Sequence, residues 1–107
     1  MEIEPTENVG TRLLFENSRV RVWDLSLEPN EWLEKHIHRD DFLFIVVKGG
    51  SLRHIVPDFP EHDRAVQYED DLVVFREAGP QGVVHERLIN VGDEPYRNLV
   101  IELKKST

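Results

Sequence analysis

The feature that most constrains this chain is a succession of short runs rich in β-branched and aromatic residues, each closed by Gly, Pro, Asn or Asp. Arg19 to Leu27 (RVRVWDLSL) sets the pattern, with Val20 and Val22 on one face and Arg21, Trp23, Leu25 and Leu27 on the other. Pro29-Asn30 then predicts a turn, since asparagine tolerates a left-handed backbone. Trp32 to Val47 forms one or two further strands, closed by Gly49-Gly50 as a tight turn. Strands are also expected over Ser51–Val56, Leu72–Phe75, Val83–Asn90 and Arg97–Lys104, where Leu99, Ile101 and Leu103 share a face. Between them lie a proline-containing loop (57–63), an Asp70-Asp71 turn, a loop over 78–82 and a turn over 92–95. No segment keeps a helical period over three turns, so the expected architecture is an all-β sandwich or barrel.

At 107 residues and without internal repeats, the chain is expected to form one domain over 11–107, preceded by a polar arm or edge segment over 1–10. Cysteine is absent, which excludes disulfides, thiolate ligands and cysteine nucleophiles; any metal must be held by imidazole or oxygen. With 21 acidic against 13 basic residues the formal charge is −8, so phosphate backbones and anionic membranes are poor partners. The stretch Met1 to Pro5 lacks a signal-peptide pattern, and the longest apolar run, Phe42–Val47, is too short to span a bilayer; a cytoplasmic location is expected. Both alternating faces of that run are apolar. One face would line the interior, and the other needs a second sheet of the same chain or a second subunit. A homodimer is the expectation, although burial within one chain accounts for the pattern equally well.

His36 and His38 stand two apart in a predicted strand, so their imidazoles project to the same side. On an interior face they would converge as ligands for zinc, iron, manganese or nickel. On an outer face they would be two separate, solvated histidines. Asp40 and Glu34 share their parity and are the carboxylates available beside them, as general bases or as solvated charges at a strand end.

Residues Asn30 to Gly50 (NEWLEKHIHRDDFLFIVVKGG) resemble the first motif of the cupin superfamily: glycine, five residues, His-x-His, a short gap, glutamate, six residues, glycine. Asn30 stands in the first glycine position, and Gly49 or Gly50 closes the motif. Residues Asp70 to Asn90 (DDLVVFREAGPQGVVHERLIN) resemble the second motif, most clearly in Pro80-x-Gly82-x-x-His85 followed by Asn90. The tail NVGDEPYRNLVIELK looks like the closing hairpin of small cupins. The resemblance implies a cupin-type antiparallel β-barrel (jelly roll) with His36, His38 and His85 as ligands to a divalent transition metal. It departs from the family at the glutamate ligand, whose place falls at Phe42 or Leu43; Asp41 is one residue early.

Two functions follow. The first is a metal-dependent enzyme acting on a small polar molecule, with Glu34 or Asp40 as general base; dioxygenase, isomerase and lyase chemistries all occur on this fold. The second is a non-catalytic small-ligand binding or sensor module, to which the missing glutamate points. Elsewhere, His54 and His62 flank the proline-containing loop and are expected to face solvent. Trp32 could wall a pocket or simply be core or rim; Arg76, Arg87, Tyr68 and Tyr96 could reach a ligand's carboxylate, with surface ion pairing the alternative for the arginines. No serine sits in a nucleophile context.

Overall fold

A computed structural model of the protein describes residues 4–55, 59, 61 and 63–105. Among these, eleven strands form and no helix: β1 (Arg12–Glu16), β2 (Val20–Leu27), β3 (Trp32–Leu33), β4 (His36–His38), β5 (Asp41–Lys48), β6 (Gly50–Ile55), β7 (Arg64–Tyr68), β8 (Val73–Arg76), β9 (Val83–His85), β10 (Arg87–Asn90) and β11 (Tyr96–Leu103). They make a five-stranded sheet in the order β1-β2-β11-β5-β8, a four-stranded sheet in the order β3-β10-β6-β7, and a two-stranded ladder of β4 with β9. All pairings between named strands are antiparallel.

The core lies between the two larger sheets. Trp23, Leu25, Leu27, Phe42, Val46 and Val100 meet Leu33, Leu52 and Leu88 from the opposite side. The expected alternation of β2 holds, since Trp23, Leu25 and Leu27 point inward. In β11 the inward set is Tyr96, Asn98, Val100 and Glu102, so Leu99, Ile101 and Leu103 form the outer face.

Several sequence expectations change in detail. The run from Trp32 to Val47 divides into three strands, because the chain breaks at Glu34-Lys35 and again at Arg39-Asp40. Gly49 is a corner and no hairpin: β5 pairs with β11 and β8, whereas β6 pairs with β10 and β7. The tail is likewise a crossover between sheets, since β10 and β11 do not pair with each other. Strands β1 and β7 had no counterpart in the sequence reading. In the N-terminal segment, Thr6 bridges β4: its amide donates to the Lys35 carbonyl and its carbonyl accepts from the Ile37 amide. Val9 is fully buried in the core.

Two backbone positions show why the cupin-like motifs have their spacing. Asn30 takes a left-handed φ of 70°, as the turn reading requires. Its amide donates to the Asn90 carbonyl, and the Asn90 amide donates back to Glu31, which ties the β2–β3 connection to β10. Gly82 has a φ of 78°, and a Cβ there would lie 2.9 Å from the His38 carbonyl oxygen. Only glycine lets the chain approach β4 this closely while turning into β9.

Candidate metal centre

The close approach at Gly82 sets the register of the small ladder, in which His36 stands opposite His85 and His38 opposite Val83. Alternation along β4 turns His36 and His38 inward together, and both are 2% exposed. His85 joins them from across the ladder. Ring centroids are 5.1 Å apart for His36–His38, 5.2 Å for His36–His85 and 4.7 Å for His38–His85, each pair edge to face. One ring nitrogen from each lies within 4.8 Å of the others.

The electrostatics keep these rings neutral. Burial, reinforced by the neighbouring imidazoles, lowers the pKa of His38 to about 2. Burial, with His36, His54 and Arg76 nearby, lowers that of His85 to about 4. Burial also lowers His36, against the opposing effect of a hydrogen bond. That bond runs from His36 Nδ1 to the Glu34 carbonyl, 3.0 Å; because a carbonyl only accepts, Nδ1 carries the proton and Nε2 keeps a free lone pair. His38 Nδ1 is buried with no hydrogen-bond partner.

Phe42, fully buried, stacks on His38 with centroids 3.6 Å apart and planes at 13°. An aromatic ring thus stands beside the histidines where the resemblance expects a carboxylate. Neither Glu34 nor Asp40 joins the cluster. The Glu34 side chain is exposed and pairs with Arg87 at 3.3 Å. Asp40 lies near enough to Arg21 and Glu102 to influence both electrostatically. Asp41 accepts a hydrogen bond from the Ala78 amide, 2.8 Å, and so ties β5 to the loop before β9. The buried carboxylate Glu102, cross-strand from Phe42, accepts a bond from Trp23 Nε1, 2.6 Å.

The three histidines open onto a cavity of about 60 Å³, also lined by Phe42, Phe44, Leu52, His54, Tyr68, Tyr96 and Asn98. His54 is a correction to the sequence reading. It is half-buried on β6, lines the cavity, and hydrogen-bonds Tyr68 Oη through Nε2 at 3.0 Å. His62 lies outside the described residues. Trp32 is exposed under the Arg87 guanidinium, 4.6 Å from its ring, and does not line the cavity; Arg76 is exposed. Asn98 also lines the cavity, a place the sequence signals only through its parity with Tyr96 and Val100.

Solved structures share this architecture. A cupin domain from Bordetella pertussis Tohama I is 23% identical, with a TM-score of 0.74 over 97% of this chain and 100% of that one. A cupin family protein with a double-stranded β-helix fold from Methanocaldococcus jannaschii is 18% identical, with a TM-score of 0.62 over 96% of this chain and 90% of that one. The polyketide cyclase RemF from Streptomyces resistomycificus is 20% identical, with a TM-score of 0.58 over 83% of this chain and 57% of that one. No protein-family model and no curated protein matches the chain. The fold is therefore that of a small cupin domain, a double-stranded β-helix of the jelly-roll class. Among the described residues no helix is long and apolar enough to cross a membrane.

Proposed function

We propose that this protein is a metal-dependent enzyme acting on a small polar organic molecule, with His36, His38 and His85 holding one divalent transition metal ion. The observation that carries the proposal is the convergence of three neutral imidazoles, two buried and one half-buried, from two strands onto one cavity. Taking three such groups out of water together costs solvation, and a cation offsets that cost by accepting their lone pairs. The donor set is all nitrogen, which suits zinc, iron, manganese or nickel. A bound ion would supply Lewis acidity and open positions for substrate or water. The chain's own contribution is to hold the rings in place, through the His36–Glu34 bond and the Phe42 stack, and to exclude bulk water. Glu34 and Asp40 do not line this cavity, so the groups available to handle a substrate proton are Tyr68, Tyr96 and His54.

One observation favours a second function, a binding module without catalysis. Phe42 fills the carboxylate position, so the ligand set is one group short of the cupin pattern. Elemental analysis of untagged protein tests the first function. Near-stoichiometric transition metal is expected, falling to background in His38→Ala and His85→Ala. A metal-free wild-type protein that also fails to take up added zinc would leave only the binding module.

A further inference from the structure

Strand β11 sends four side chains into the interior, and three of them are polar: Tyr96, Asn98 and Glu102. Glu102 is satisfied by Trp23 and Arg21. Tyr96 Oη accepts a hydrogen bond from Asn98 Nδ2 at 2.7 Å. That leaves Asn98 Oδ1, on a side chain only 5% exposed, as a buried acceptor with no partner. Asn98 and Tyr96 both line the cavity into which the three histidines open. An unpaired carbonyl facing a cavity is unfavourable until something donates to it. A leucine at this place would pack against its cross-strand neighbours Leu25 and Val46 without that penalty.

The position along the sheet separates this acceptor from the histidines. Asn98 lies opposite Val46, four residues along β5 from Phe42, which stacks on His38. At a strand rise of ~3.3 Å this puts the two backbones about 13 Å apart along the strand. The cavity therefore has two polar ends with apolar walls between them, formed by residues such as Phe44, Leu52 and Val100. The far end offers the Asn98 carbonyl and, beside it, the Tyr96 hydroxyl, whereas the Tyr68 hydroxyl is bonded to His54 Nε2. Among the described residues no lysine, arginine or carboxylate lines the cavity. An ammonium group there would have no carboxylate among the lining residues to pair with.

We infer that Asn98 is a specificity residue, whose Oδ1 accepts a hydrogen bond from a neutral donor on the ligand end remote from the histidines. The ligand class is then a small acid with a distal hydroxyl, its carboxylate at the histidine end and its hydroxyl at Asn98. The placement of the carboxylate rests on the proposed metal ion; the placement of the hydroxyl does not.

The test compares 4-hydroxybutyrate with butyrate, which differ only in the terminal hydroxyl, by calorimetric titration of the whole protein with and without added zinc. The wild-type protein is expected to bind the hydroxylated acid at least about ten-fold more tightly, since the unhydroxylated acid leaves the buried acceptor unpaired. In Asn98→Leu the preference falls to about one, while butyrate binding and zinc content stay as in the wild type. Equal wild-type affinities, no binding of either acid, or equal losses for both acids in the variant would each overturn the inference. The wild-type ratio requires no variant to fold. A preference that persists while zinc is neither bound nor required upholds the role of Asn98 and sinks the metal proposal alone.

Discussion

Burial at His38 and His85 acts on the folded state alone, and this sets a direction for stability against pH. Both pKa values lie below the ordinary 6.5, at about 2 and about 4. Below 6.5 the unfolded chain therefore binds protons that the folded chain refuses. Stability contributed by the neutral rings is complete above pH 6.5 and is lost as pH falls through 6.5 toward 4. His54, also lowered by burial, adds to this trend, while Glu102, raised by burial, opposes it. Comparing wild type with His85→Gln cancels the groups that His85 does not touch, and relieves only part of the lowering at His38, which burial dominates. In chelator-treated protein, the melting temperature is expected to fall more steeply between pH 6.5 and 4.5 for the wild type than for the variant. The difference in slope is at most one proton, or ~1.4 kcal/mol per pH unit. Parallel curves would show that His85 is not buried as described.

The element scale explains why parts of the site were legible in the sequence and others were not. Alternation brought His36 and His38 to one face, because β4 is continuous over both. The same parity argument extended to Glu34 and Asp40, but alternation holds only within one strand; β4 starts at His36 and ends at His38, and β5 begins at Asp41. His85 was reachable only through its motif, since pairing between β4 and β9 depends on a turn that periodicity does not encode. Leu99, Ile101 and Leu103 share a face of β11 as their spacing predicts, but the inward face is the one with Tyr96, Asn98 and Glu102. Gly82 is the local cause of the β4–β9 pairing and can be tested directly. Gly82→Ala places a Cβ 2.9 Å from the His38 carbonyl oxygen at a φ of 78°. We expect a loss of about 1–2 kcal/mol in urea unfolding from the left-handed backbone alone, with reduced zinc retention as His85 moves away from its partners. Unchanged zinc affinity would mean that the ladder tolerates displacement.

At the scale of the whole molecule, the outer face of the five-stranded sheet is the surface left to explain. Phe15 at one edge and Val73 and Phe75 at the other are each more than half exposed. Val22, Leu99, Ile101, Leu43 and Ile45 bridge them across the sheet. This accounts for the double-sided apolar pattern of Phe42–Val47: its inward side fills the core, and its outward side is half-buried to exposed, with no further layer over it among the described residues. Five strands at ~4.8 Å spacing and about six residues long outline roughly 400–500 Å² in plan. With side-chain relief the accessible area approaches the ~800 Å² per partner of a standard interface. The occupant we expect is a second copy. The charges around the face are already paired within the chain, Asp24 with Arg97 and Arg12, and Glu16 with Arg21 and Lys104. Two such faces can therefore meet without stranding a charge, despite the −8 that each copy carries. Sedimentation equilibrium is expected to show a dimer for the wild type, converted to monomer by Phe75→Asp. Because Phe75 is half-exposed, the substitution removes little core packing, and the variant should keep the wild-type zinc content. A wild-type protein that sediments as a monomer at high micromolar concentration would end the case for a self-paired sheet.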